Sequence, residues 1–272
     1  MKVSPQESAT PAEPEVVTER RGATLVVRIN RPAARNAFNA AVMAGIGGAL
    51  LRADAEPEIR AVILTGTGDR AFCAGMDLKA FAAGGTPASE ADQAAMAAFS
   101  AFTGGSGGCS KPVICAAQAT ALAGGFELAL ACDLIVVATD AKLGLPEVKR
   151  GLFAAGGGMY LGRRIPLAKA LELTMTGEPI TPAEALSLGL INAVVPAAEV
   201  VDKALELAAK IAQNGPLAVA ASKRLVRMAA FEPLADVRPV HAELVGTVFS
   251  SDDAKEGATA FVERRQPDWT GR

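Results

Sequence analysis

Histidine is almost missing from this sequence: among 272 residues only His241 occurs. One imidazole excludes a multi-histidine metal centre and leaves a serine nucleophile poorly supplied with a base. Four cysteines, Cys73, Cys109, Cys115 and Cys132, show no CxxC spacing. They are expected to be buried reduced thiols, with no metal site. Aromatic residues make up 4% of the chain while 50% of it is hydrophobic, so the core is expected to be aliphatic and rich in alanine. An excess of either charge is lacking too, since 27 basic residues face 29 acidic ones for a formal net charge of −2. That balance offers nucleic acid no electrostatic footprint. No apolar run approaches the ~18–20 residues of a membrane-crossing helix, and the first fourteen residues have no apolar secretory segment. The expected setting is the cytoplasm, with neither nucleic acid nor membrane as a partner.

What is present centres on one stretch, Thr120-Ala-Leu-Ala-Gly-Gly-Phe-Glu-Leu-Ala-Leu-Ala-Cys-Asp133. It follows an apolar run over 112–117 that reads as a buried strand. A glycine pair, Gly124-Gly125, then opens a run of helix formers over 126–132. The chain therefore turns from strand to helix at the glycines. A helix N-terminus carries free N–H groups and the positive end of the macrodipole, a natural place to hold an anion. One turn on lies Glu127. Donors for a negative oxygen, with a carboxylate a few residues away, suggest chemistry on a carbonyl. A glutamate in a first helical turn also favours the dipole by roughly 0.3–1 kcal/mol with no further role, so this stretch alone does not assign a function.

In chain order, residues 1–14 are rich in Pro, Glu, Ser and Ala and read as a disordered tail. Strands over 15–19 and 24–29 flank Arg21-Gly22 as a hairpin, and Asn39 caps a helix running to about residue 53. A buried strand over 61–65 leads into Gly66-x-Gly68, which formally matches a dinucleotide fingerprint but does not enter a helix at once. Gly84-Gly-Thr-Pro87 reads as a loop, and Ser89 caps a helix to about residue 102. Gly104-Gly-Ser106-Gly-Gly108 fits the nucleophile-elbow pattern with strand and helix in the reversed order, so it reads as a glycine-rich turn. Strands are expected over 133–138 and 189–195, with helices over 159–163, 166–175 and 182–187, the last two having proline in the first turn. Beyond Pro196 only amphipathic helical runs remain, over 200–211, 216–230, 234–249 and 251–264. The expected organisation is a tail over 1–14, a strand-bearing α/β body over 15–196 and a helical region over 197–272.

Several segments jointly resemble the crotonase (enoyl-CoA hydratase/isomerase) superfamily over roughly 15–270. They are Arg31-Pro with Asn36-Ala37, Ala71-Phe-Cys-Ala-Gly-Met-Asp-Leu-Lys79, Ala123-Gly-Gly-Phe-Glu127 with Ala131-Cys-Asp133, and Leu145-Pro-Glu147. The pattern continues through Gly151…Gly156-Gly-Gly158, Thr176-Gly177, Ala183-Glu-Ala185 with Gly189-Leu190, and Phe261…Arg264-Arg265…Pro267. Each is modest alone; in this order and spacing they are specific. The resemblance implies an α/β spiral of ββα units, a C-terminal helical region that packs in trimers or dimers of trimers, acyl-CoA thioester substrates and no cofactor beyond the coenzyme A of the substrate. It also implies oxyanion-hole N–H donors at Met76 and Gly124, a substrate-contacting stretch at Met76, Asp77, Leu78 and Lys79, and two hydratase glutamates at Glu127 and Glu147. The loop Leu152-Phe-Ala-Ala155 departs from the Ile-Pro-Gly-Ala of short-chain hydratases, and Met76 replaces a smaller residue. Both departures bear on the acyl chain rather than the reaction.

The chemistry implied is addition of water to a 2-enoyl-CoA. That reaction moves negative charge onto the thioester oxygen, where two aimed N–H groups stabilise it; losing one such donor costs roughly 3–4 kcal/mol. Two carboxylates with split pKa values can deprotonate water and protonate Cα. An isomerase or another thioester-enolate enzyme would use the same oxyanion hole, and a non-catalytic acyl-CoA-binding protein would keep only the binding. The sequence does not show whether Glu127 and Glu147, twenty residues apart, face each other.

Overall fold

The computed structural model describes residues 13–83, 89–105 and 107–272. Residues 1–12 of the expected tail, the loop at 84–87 and Ser106 of the glycine-rich turn lie outside the described residues. The chain opens with a hairpin, β1 (Val16–Arg21) and β2 (Thr24–Ile29), in which Val16 faces Ile29 and the turn uses Gly22 at φ 59°. Helix α1 (Ala40–Ala55) starts where the Asn39 side chain accepts the Val42 N–H at 2.9 Å. Next come β3 (Ala61–Gly66), α2 (Leu78–Ala83) and α3 (Glu90–Thr103), the last capped by Ser89. Then follow β4 (Val113–Ala117), β5 (Ala121–Leu122), α4 (Gly124–Ala131), β6 (Leu134–Ala138) and β7 (Leu143–Gly144). Helices α5 (Leu161–Arg164), α6 (Leu167–Thr176) and α7 (Pro182–Ser187) precede β8 (Ala193–Val195). Four helices finish the chain: α8 (Val200–Ala212), α9 (Pro216–Phe231), α10 (Leu234–Phe249) and α11 (Asp252–Glu263).

The main sheet runs β1-β2-β3-β4-β6-β8, and only the first pair is antiparallel. Parallel strands covered on both faces are apolar throughout, and β3 and β4 are buried at every position. The short strands β5 and β7 pair separately, in parallel, as a second sheet. Successive turns of the chain thus place one strand in each sheet and then a helix. Of the two-residue strands, β7 falls within a stretch, 141–146, that reads as extended in sequence, whereas β5 escaped because it is too short for any alternation to show. Pro166 stands at the N-cap of α6 rather than in its first turn, whereas Pro182 opens α7 as expected.

Helix α8 lies within the helical region expected over 197–272 and packs directly on the strand-bearing body. Val200, Ala204 and Ala208, spaced four apart on one face, are fully buried and join the core cluster of β3, β4 and β6. Small side chains at that spacing let a helix lie close to a sheet. What stands apart begins at α9, which has no buried residue, and continues through α10, where only Val237 is buried.

Candidate active site

The turn from β5 into α4 is made at Ala123, whose backbone takes φ 51° and ψ −136°. A non-glycine residue held there costs on the order of 1–3 kcal/mol, and such strain persists only where neighbours over-determine it. Three hydrogen bonds do so. The Ala123 N–H donates to the Gly144 carbonyl at 2.9 Å, and its own carbonyl accepts from Phe126 at 2.8 Å and Glu127 at 3.1 Å. The result is a helix whose first N–H, that of Gly124, donates to no acceptor among the described residues.

A second segment, 72–77, runs beside this turn. Leu122 donates to the Cys73 carbonyl on one edge. On the other edge Phe38 donates to the Gly75 carbonyl at 2.9 Å and accepts from the Asp77 N–H at 3.0 Å. In a parallel bridge of that kind the residue between the two bonded neighbours turns its own N–H away, so the Met76 N–H faces the α4 side and donates to no described protein acceptor. Gly75 takes φ +92°, and a methyl on it would lie 3.0 Å from the Gly124 nitrogen. Close approach of the two backbones therefore needs glycine at this position. The segments that carry Met76 and Gly124, the donors expected from the sequence, meet at Gly75.

The carboxylates are held differently. Glu127 accepts the N–H groups of Gly156 at 2.7 Å and Gly158 at 3.1 Å through Oε1. Glu147 lies on the one-turn 3-10 helix Pro146–Arg150, and both its carboxylate oxygens are shut off from solvent with no hydrogen-bond partner. Burial raises its pKa above the ordinary glutamate value, with the negative charge of Glu127 adding to the rise. An unpartnered buried carboxyl is expensive, and such groups collect where a ligand or water completes them.

The stretch 76–79 divides in use. The side chains of Met76, Leu78 and Lys79 are exposed. Asp77 instead turns inward: its Oδ1 accepts the N–H groups of Lys79 at 3.1 Å and Ala80 at 3.2 Å, opening α2, and Oδ2 pairs with Arg31 at 3.0 Å. The Ala80 N–H, then Arg31, hold its carboxyl below the usual range. Arg31 and Phe38 are thus part of the site's framework, and sequence reading gave neither a role. Arg31 was visible as half of Arg31-Pro and Asp77 as part of the substrate-contacting stretch, but their pairing across 46 positions was not.

Among the described residues no three His, Cys, Asp or Glu side chains converge as a metal would require, and no helix is long and apolar enough to cross a membrane. All four cysteines are buried and unpaired, and burial pushes the Cys73 thiol up to about 12, far from the reactive thiolate.

The sequence pattern of the enoyl-CoA hydratase/isomerase family matches residues 19–272. The chain is 42% identical over 260 residues to the enoyl-CoA hydratase EchA19 of Mycobacterium tuberculosis, covering 95% of this chain and 97% of that protein. It is 39% identical over 257 residues to the carnitinyl-CoA dehydratase of Proteus mirabilis, covering 93% and 97%. In structure it is similar to an enoyl-CoA hydratase from M. tuberculosis H37Rv, with a TM-score of 0.86 at 45% identity over 96% of this chain and all of that one, 100%. The fold is that of the crotonase superfamily. Within it, the chain belongs to the enoyl-CoA hydratase/isomerase family.

Proposed function

We propose that the protein is an enoyl-CoA hydratase, adding water reversibly and with syn geometry to a 2-enoyl-CoA thioester to give a 3-hydroxyacyl-CoA. The observation that carries this reading is the contrast between two neighbouring carboxylates, one hydrogen-bonded and one unpartnered with a raised pKa, beside two unused N–H donors. The Met76 and Gly124 N–H groups receive the thioester oxygen and stabilise the enolate-like charge. Glu127 takes a proton from the water that attacks Cβ, and Glu147, the carboxyl whose pKa burial raises, delivers a proton to Cα. The named relatives fit this chemistry, since a dehydratase runs the same step in reverse.

Met76, Leu78, Lys79 and Gly124 contact the substrate in this reading, Lys79 as a cation for the coenzyme A part. Asp77 supports that stretch from beneath. No cofactor is required beyond the coenzyme A of the substrate. The exposed apolar residues of α9–α11 support assembly as a homotrimer or dimer of trimers, and the four reduced thiols support a reducing compartment such as the cytoplasm. The test is loss of the conjugated-thioester absorbance of a crotonyl-type substrate on addition of enzyme. Unchanged absorbance with retained acyl-CoA binding would reject hydration.

A further inference from the structure

We infer that Arg31, acting through Asp77, is a positioning residue for the oxyanion hole: it fixes the Met76 N–H relative to that of Gly124. The inference deepens the proposed hydratase reading and rests on it.

The two donors come from separate segments, so something must set their spacing. Phe38 links them. Its backbone is bonded on both sides of Met76, to Gly75 and Asp77, while its ring end sits where a methyl on Gly124 would come within 2.7 Å. Phe38 is itself fixed by the loop before it. Asn36, buried and at φ 55°, accepts the Arg31 N–H at 3.0 Å and donates to the carbonyls of Thr67 at 2.9 Å and Ala71 at 2.8 Å. Across this frame lies the Arg31 guanidinium, whose side chain is only 16% exposed. It donates to the Ala37 carbonyl at 2.5 Å and to Asp77 Oδ2 at 3.0 Å, and it pairs with Glu15 at 3.0 Å.

Arg31 therefore holds the residue before Phe38 and the residue after Met76 at once. A planar fork with several donors can make both bonds in one geometry, which an ammonium on a flexible stem cannot. Through its other oxygen the same Asp77 carboxylate opens α2, so the ion pair also sets where Leu78 and Lys79 begin. A shift of the 75–77 segment would move the Met76 N–H and leave Gly124 in place. Such an error weakens transition-state binding more than substrate binding, because the oxyanion hole serves charge that develops during reaction.

The test is a double-mutant cycle with Arg31→Met, which keeps the apolar stem, and Asp77→Asn, which keeps an oxygen to open α2. Hydration of a crotonyl-type thioester, Cα proton exchange of its saturated analogue in deuterated solvent, and binding of that analogue are measured together. Removing an oxyanion donor typically costs about 10²–10³ in kcat, so displacing one should cost roughly tenfold in each single variant. KM and the affinity for the saturated thioester should stay within about twofold, and the double variant should be little worse than either single one. Unchanged kcat in both folded single variants, or losses that multiply in the double, or a loss carried by KM and binding alone, would overturn the inference. If the wild-type chain exchanges Cα protons without hydrating, the hydratase reading falls and exchange becomes the readout for the cycle. If it does neither, both fall.

Discussion

Glu127 and Glu147 are neighbours in opposite circumstances: the first accepts two backbone N–H groups, while the second has both oxygens enclosed without a partner. Burial is the main cause of the raised Glu147 pKa; its own backbone N–H pulls the other way, and the charge of Glu127 then adds to the rise against a smaller pull from Arg150. The native state therefore holds this proton more tightly than the unfolded chain does. The associated stability is present below the ordinary value of 4.5 and is lost as pH rises through the higher native value. Glu147→Gln carries no such loss. Calorimetry at about pH 4 and about pH 7 should show the melting temperature of the variant, relative to wild type, moving upward at the higher pH. A difference that is constant with pH, or that moves downward, would contradict the raised pKa.

The proposed proton transfers divide along the same contrast. Glu147→Gln should lower kcat by roughly 10²–10⁴ while acyl-CoA binding changes little, the usual signature of a lost acid–base group. Exchange of the Cα proton of a saturated thioester with deuterated solvent should fail in this variant and survive better in Glu127→Gln. The reverse pattern would exchange the two roles. Wild-type hydration rates in both would remove the hydratase reading altogether.

Glycines near the site should differ in what they protect. A methyl on Gly125 would lie 2.0 Å from the Cys73 carbonyl oxygen, a backbone atom in the buried frame. A methyl on Gly156 would meet the Glu127 carboxyl at 3.1 Å, the end of a side chain that can move. Gly125→Ala is therefore expected to lose about 1–3 kcal/mol or more of stability by overpacking. Gly156→Ala should melt close to wild type and lose activity, because it displaces the carboxylate and one of its two donors. Thermal melts and initial rates on both variants check this, and a Gly156→Ala enzyme with full activity would contradict it.

How far the site could be read from sequence depends on the range of the interaction that makes it. Local signals worked where one residue decides an element: Asn39 and Ser89 cap α1 and α3, and Gly124-Gly125 marks the start of α4. The resemblance selected Met76 and Gly124 as a pair of donors, but not the reason they meet. That reason is Gly75 at a positive φ packed against Gly124, a contact spanning almost fifty positions. The pairing of Arg31 with Asp77 escaped notice for the same cause, since an ion pair of distant residues leaves no periodicity. Helix α8 was legible as an amphipathic run, but its small buried residues have the spacing of any such helix, and which surface they cover is a tertiary fact.

The last prediction concerns assembly. Helices α9–α11 bury almost nothing within the chain, yet Phe249 is 78% exposed, Phe261 86% and Val262 81%. Fully burying a side chain of this size contributes about 1.5–3 kcal/mol, so leaving several in water on adjacent helices is unfavourable unless another surface covers them. Neighbouring chains are the proposed cover. Phe261 and Val262 lie side by side near the end of α11, away from Asp253, which accepts the N–H groups of Thr270 and Gly271 and ties down the C-terminus. Replacing both with glutamate should leave the fold of the body intact, since neither side chain packs into it. It should also shift sedimentation from the mass of three or six chains toward one. A wild-type protein that sediments as a stable monomer at micromolar concentration would sink the trimer. A double variant that keeps the wild-type mass would move the interface to another face of these helices.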